Sequence, residues 1–192
     1  MNPSSHSNSA LRITGGSLKG RTISVPPGTI RPAMDRMRES IFAVLGDLQG
    51  ASFLDLFSGS GIIALEAASR GAVYLEAVES DKQKFKTLIQ NSSLAPIHIH
   101  CRLVPVELYI KRAQRPFNYI FCDPPFPYQY KNELITDIGS SLLMNERSLL
   151  MIHHPKKETT NLHEKQNIII LQDSRSYGNS VVDFFAKPEM KN

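Results

Sequence analysis

Two cysteines, Cys101 and Cys122, are all that this 192-residue chain carries, and that is too few for a disulfide framework. No run of about eighteen apolar residues occurs, so the sequence contains no candidate membrane-spanning helix. Met1 to Ala10 is rich in Ser and Asn and has no apolar core of the kind a secretory signal needs. It is expected to be a disordered tail, and these absences together place the chain in the cytoplasm. No internal repeat is visible, and the only linker-like stretch is Pro26 to Thr29. Charge of one sign is also missing from most of the chain. Six cations before Gly46, Arg12, Lys19, Arg21, Arg31, Arg36 and Arg38, face only Asp35 and Glu39, and account for the whole formal charge of +4. A basic segment attached to a neutral remainder fits a polyanionic partner. Five of the six cations are arginines, which pair bidentately with phosphate and stack on bases.

What is present is regular. Hydrophobic residues make up 41% of the chain, enough for one core and too few for two at this length. Leu11 to Val25 reads as a short β-hairpin, turned at Gly15-Gly16 and again near Gly20. Asp35 to Leu45 reads as a helix whose apolar face is Met37, Ile41, Val44 and Leu45. Strands then alternate with helices: strands at 52–57, 73–79, 97–101, 118–122, 148–153, 167–172 and 181–186, and helices at 62–70, 82–92, 104–112, 131–143 and, weakly, 157–164. Such alternation predicts a doubly wound, mostly parallel α/β sheet. Asp173 to Ser180 is a polar loop between the last two strands, and a hairpin there would make an antiparallel edge.

Two motifs carry the chemistry. The first is Phe53-Leu54-Asp55-Leu56-Phe57-Ser58-Gly59-Ser60-Gly61, an apolar strand that ends in a glycine turn before a helix. Gly59 and Gly61 would let a ligand approach the backbone. Gly71 stands where a helix stop belongs. Glu79 ends the next strand, about twenty residues beyond Gly59, where a carboxylate usually binds ribose. Asp55 would order the glycine loop or the amino end of a cofactor, with Phe57 beside it. The second motif, Asp123-Pro124-Pro125-Phe126, follows the apolar strand Tyr119 to Cys122. Two prolines supply no N–H, so the loop leaves carbonyls free beside a carboxylate and an aromatic ring. Those groups can hold an exocyclic amino group and stack on the base that bears it. One adenosine-containing cofactor fits this chain better than a nicotinamide dinucleotide, whose enzymes need a second half and a substrate domain.

Other chemistry is poorly supported. His98 and His100 share one face of a strand, and His153 and His154 are adjacent; without a third ligand they read as surface or edge histidines, and no metal is expected. Cys122 lies in an apolar strand without a partner motif, which argues against a nucleophile. Tyr128 and Tyr130 are either core anchors or flank an inserted base.

Arg12-Ile13-Thr14-Gly15-Gly16, Lys19-Gly20-Arg21 and Arg31 to Glu39 resemble the N-terminal signature of the RsmD family of bacterial 16S rRNA guanine-N2 methyltransferases. Asp55 to Gly61, Glu79-Ser80-Asp81, Asp123 to Phe126 and Tyr177-Gly178 follow in the same order, so the resemblance runs from about Leu11 to Ala186. It implies a seven-stranded Rossmann-like methyltransferase sheet with an antiparallel last strand over 47–187, and a basic RNA-binding hairpin and helix extension over 11–46. It implies S-adenosylmethionine as cofactor, 16S rRNA of the small ribosomal subunit or its assembly intermediate as partner, no membrane, and a monomer. Asp123, Pro124 and Phe126 become the catalytic residues; Asp55, Phe57, Gly59, Gly61 and Glu79 the cofactor site; Arg12, Lys19, Arg21, Arg31, Arg36 and Arg38 the RNA contacts. The chain departs from the family at Ala33, where Thr is usual, and at Ser58 and Ala64, usually Ala and Gly. Arg102 to Pro105 offers no Asp for an adenine amino group, and His153-His154 stands where relatives often carry an acid. A DNA adenine-N6 methyltransferase uses the same kind of loop but normally needs a target-recognition region. A non-catalytic RNA-binding protein on the same fold is the other alternative.

Overall fold

The computed structural model describes residues 11–25, 33–158 and 168–188. The N-terminal tail, the Pro26 to Thr29 linker, Arg31 and most of the weak helix expected at 157–164 lie outside the described residues. Leu11–Arg12 (β1) and Thr22–Ile23 (β2) pair antiparallel, as the hairpin reading expected. Helix α1 covers Ala33–Leu45. A seven-stranded sheet follows, made of β3 (Ser52–Leu56), β4 (Tyr74–Glu79), β5 (Ile99–Leu103), β6 (Tyr119–Cys122), β7 (Leu149–Pro155), β8 (Ile170–Tyr177) and β9 (Ser180–Ala186). Helices α2 (Ile62–Ser69), α3 (Lys82–Ser92), α4 (Val106–Lys111) and α5 (Lys131–Ser140) connect its first five strands.

The strand order is β5-β4-β3-β6-β7-β9-β8. Strands β3 to β7 are mutually parallel, and β9 is antiparallel to both of its neighbours. The last strand is therefore antiparallel as expected, but it lies inside the sheet, and β8 forms the edge. The polar stretch from Asp173 was expected to be loop; β8 runs through it to Tyr177. Its residues alternate between exposed and half-buried, the pattern of an edge strand with one wet face, where polar side chains cost little. The turn itself is only Gly178 and Asn179, with Gly178 at φ 62°.

Alternation along the strands builds two apolar layers, one on each face. Phe53, Leu75, Ala77, Phe121 and Met151 pack with α1, α2 and α3. Leu54, Leu56, Val78, Ile120, Cys122, Leu150 and Ile152 pack with α4 and α5. Helix α1 buries Met37, Ile41 and Leu45 of its expected apolar face together with Phe42, while Val44 is only half-buried. The β1–β2 segment joins the same core through Leu11, Ile13, Leu18 and Ile23. No described helix is long and apolar enough to cross a membrane.

The basic N-terminal segment is fastened to α2. Ser17 N–H donates to Ser69 O at 2.7 Å, Leu18 N–H donates to Ser69 Oγ at 2.8 Å, and that hydroxyl donates to Gly15 O at 2.6 Å. Gly16 sits at φ 74°, and a Cβ there would lie 1.9 Å from Ser69 O; only glycine permits this approach. Arg38, expected to contact RNA, is an internal residue with no exposed surface. Its guanidinium reaches Asp35 at 2.8 Å, Glu66 at 3.4 Å and Arg12 O at 3.0 Å. Fully buried Glu66 also pairs with Arg70 and accepts from Thr14 N and Oγ1. A buried carboxylate needs such partners, and that requirement draws Arg38 inward. Arg12, Lys19, Arg21 and Arg36 are exposed.

Candidate active site

The parallel strands bring their carboxyl ends to one edge, and the order reverses at β3, between β4 and β6. In doubly wound sheets the ligand crevice lies at such a switch point. Both motifs meet there: Leu56 is in register with Cys122, and Asp123 N–H donates to Leu56 O at 3.3 Å.

Phe57 leaves β3 at φ 60°, the one non-glycine with positive φ among the described residues. Strain of this kind persists only where neighbours hold it. Ser58 N–H donates to Val78 O at 2.9 Å, and the Phe57 ring meets Tyr128 edge-on at 5.5 Å. The two glycines then separate in role. Gly59 has no atom outside its own turn near its absent side chain; Gly61 has Leu88 Cδ1 only 2.5 Å from where a Cβ would be. Gly59 thus leaves open space, whereas Gly61 lets α3 pack against the start of α2. Buried Asn91, not singled out in the sequence, bolts this loop down by donating to Ser60 O and Ser24 O, both at 2.8 Å.

Glu79 is 6% exposed. Its Oε2 accepts Gly59 N–H at 2.9 Å, and its Oε1 accepts Asp81 N–H at 2.8 Å. Each carboxylate oxygen keeps lone-pair capacity for a ribose hydroxyl. Asp55 lies beneath the loop, 1% exposed, and accepts Ala64 N–H in the first turn of α2 at 3.3 Å. Burial is the main reason its carboxyl is pushed up to about 8, with the charges of Asp123 and Glu79 adding to the effect. It orders the loop from below.

The second loop is held by a residue the sequence reading missed. Lys131 is 4% exposed, and its ammonium donates to Phe126 O at 3.0 Å and Tyr128 O at 2.8 Å while pairing with Glu158. A cation at the first residue of a helix opposes the macrodipole, and that misplacement was the available signal. The expectation of several free carbonyls is corrected by these bonds: Phe126 O is taken by Lys131, and Pro125 O by Tyr128 N at 2.8 Å. Among the described residues the Pro124 carbonyl accepts no hydrogen bond within the protein. Tyr128 is an anchor, its hydroxyl bonded to Glu107, while Tyr130 is 63% exposed.

Of the histidines expected at the surface or an edge, His98 is exposed and His100 half-buried on the edge strand β5, but His153 and His154 are inside. His153 is 4% exposed and His154 fully buried. His154 Nε2 lies 2.9 Å from Asp183 Oδ2 on β9. His153 faces the crevice side, with Nδ1 2.7 Å from Asp123 Oδ1. Alternation on a central strand sends adjacent side chains to opposite faces, and both faces are covered here. Cys122 is buried, and burial pushes its thiol well up, away from the nucleophilic thiolate.

A family model described as Conserved hypothetical protein 95 matches residues 11–186. Ribosomal RNA small subunit methyltransferase D of Escherichia coli K12 is 35% identical over 79% of this chain and 79% of its own length. A Bacillus subtilis relative assigned as rRNA methyltransferase YlbH is 29% identical over 92% of this chain and 99% of its own. A solved Escherichia coli structure assigned as methyltransferase yhhF superposes with a TM-score of 0.83, at 27% identity over 93% of this chain and 98% of that one.

Proposed function

The chain belongs to the family described as Conserved hypothetical protein 95, and from that premise we propose that it transfers a methyl group from S-adenosylmethionine to the exocyclic N2 of a guanine in 16S rRNA. One observation carries the reading. The open glycine loop and the Asp123-Pro124 acceptors meet at a single switch point, with the Pro124 carbonyl unused among the described residues.

Gly59, Phe57 and Glu79 would hold the nucleoside of the cofactor, and Asp55 would keep the loop in shape beneath it. S-adenosylmethionine supplies a methyl group on a sulfonium, an electrophile that needs no metal. The Asp123 carboxylate and the Pro124 carbonyl accept the two hydrogens of the guanine amino group. This draws the nitrogen out of conjugation and aims its lone pair. The lone pair would take up the methyl group in a single displacement, the old bonding pair departing with the neutral thioether. The nitrogen becomes cationic and then gives a proton to water. Asp123 therefore stabilises the transition state more than the ground state. Phe126 stacks on the extruded base and fixes its angle. Arg12, Lys19, Arg21 and Arg36, all exposed, would engage phosphates, with Arg31 completing the set. Such a substrate would place the protein in the cytoplasm, acting as a monomer on the small subunit or an assembly intermediate.

The test is to offer labelled S-adenosylmethionine with small subunits, large subunits, naked 16S rRNA and DNA, then to identify the product nucleoside. N2-methylguanosine from 16S rRNA is expected. Label in N6-methyladenine of DNA, or in no nucleic acid, would overturn the reading.

A further inference from the structure

His153 has one evident polar use. Its ring is buried on β7, and its Nδ1 stands 2.7 Å from Asp123 Oδ1. An ionised carboxylate only accepts, so Nδ1 carries the proton and donates. Nε2 is buried and has no hydrogen-bond partner among the described residues. A buried polar atom left unsatisfied lowers stability, and such atoms cluster where function retains them. A ring wanted only for packing would be better replaced by an apolar one. The same ring meets Phe126 edge-on, 5.5 Å between centroids at 60°. One side chain thus touches the two residues proposed to hold the substrate base.

The geometry points to His153 as a positioning residue for methyl transfer. This rests on the role proposed for Asp123 and extends it. The Nδ1–H commits Oδ1 of Asp123 and leaves Oδ2, on a side chain that is 25% exposed, for the substrate amino group. A carboxylate free to rotate would spend part of its time with neither oxygen aimed at the nitrogen. Held by the histidine, it meets the developing cation without reorganising. Asp123 acts through its charge, and the proton released after transfer goes to water. The edge of the ring sets the plane of Phe126 at the same time. His154, on the other face of β7, pairs with Asp183 and joins β7 to β9.

Two substitutions separate positioning from packing. In His153→Asn the side-chain amide nitrogen takes the place of Nδ1. In His153→Gln it takes the place of Nε2, away from Asp123. Single-turnover methylation of small subunits should be slowed about tenfold to a hundredfold in His153→Gln, the range for a misplaced catalytic group. His153→Asn should recover most of that loss. Affinity for S-adenosylmethionine and the thermal midpoint should be alike in the two. Equal rates for Asn and Gln, slow or fast, would overturn the inference. A second readout needs no turnover. The full-length protein with 15N-labelled histidine should show a downfield, hydrogen-bonded Nδ1–H that disappears in Asp123→Ala and His153→Asn; its absence from the wild type would also overturn the inference. Turnover surviving in Asp123→Ala, with the His153 signal intact in the wild type, would instead fault the role given to Asp123.

Discussion

Asp123 and Glu79 are both carboxylates at strand ends, yet their surroundings give them different work. The Asp123 side chain is 25% exposed and has one oxygen tied to His153. Glu79 is 6% exposed and has both oxygens tied to backbone N–H groups. Asp123→Ala should keep the fold and RNA affinity but lower kcat by about 10²-fold or more, the range for removing a transition-state electrostatic contact. Steady-state kinetics on the purified variant checks this, and near-normal turnover would remove Asp123 from the chemistry. Glu79→Ala should instead weaken S-adenosylmethionine binding by about 1.5–3 kcal/mol, the usual worth of hydrogen bonds to a charged group. The Gly59 loop loses its anchor as well, so the effect belongs in affinity. Calorimetry showing unchanged binding would mean that the ribose is held elsewhere.

At the scale of elements, α1 shows how two arginines two residues apart diverge. Arg36 is exposed, and Arg38 is sealed against Glu66. Arg38 falls between Ile41 and Phe42 on the helix surface, and the buried carboxylate of Glu66 on α2 holds it inward. Residue type drew attention to the arginines; a carboxylate 28 residues away sorted them. Arg38→Ala should cost about 3 kcal/mol or more, the usual result of leaving a buried partner uncompensated, with Arg70 limiting the loss. Urea unfolding measures it, and an unchanged midpoint would deny the ion pair any weight. Arg36→Glu should leave stability unaltered and act on RNA. If Arg12, Lys19, Arg21 and Arg36 each meet one phosphate, log K against log salt should slope near −3 for single strands, at roughly −0.7 per contact. The Arg36→Glu slope should be flatter by about 0.7. An unchanged slope would place the RNA on another surface.

At the scale of the whole molecule, the site sits over a buried acid. Asp55 carries a carboxyl moved from 3.8 to about 8, chiefly by burial. The folded chain therefore holds a proton that the unfolded chain has released across that window. Its contribution to stability is complete below about pH 4 and is lost as pH rises towards 8. Asp55→Asn keeps an acceptor for Ala64 N–H and removes the titration. Between pH 5 and 7 the wild type should lose stability faster than Asp55→Asn, by up to about 1.4 kcal/mol per pH unit. Parallel stability curves for the two proteins would show that Asp55 is ionised throughout.

The alternation of apolar strands and amphipathic helices determined the parallel sheet, because side-chain period and burial are local properties of the chain. The glycine turn, Glu79 and the Asp123 loop were legible for the same reason: each is a short segment whose residue types restrict its backbone. The inward turn of Arg38, the loop clamp of Lys131, the Asn91 bolt and the His153–Asp123 contact were decided only by tertiary structure. Arg38 and Glu66 are 28 residues apart, Asn91 and Ser24 67, and His153 and Asp123 30. No local pattern encodes such pairs. They arise because a buried polar group must find whatever partner the packed sheet brings within reach.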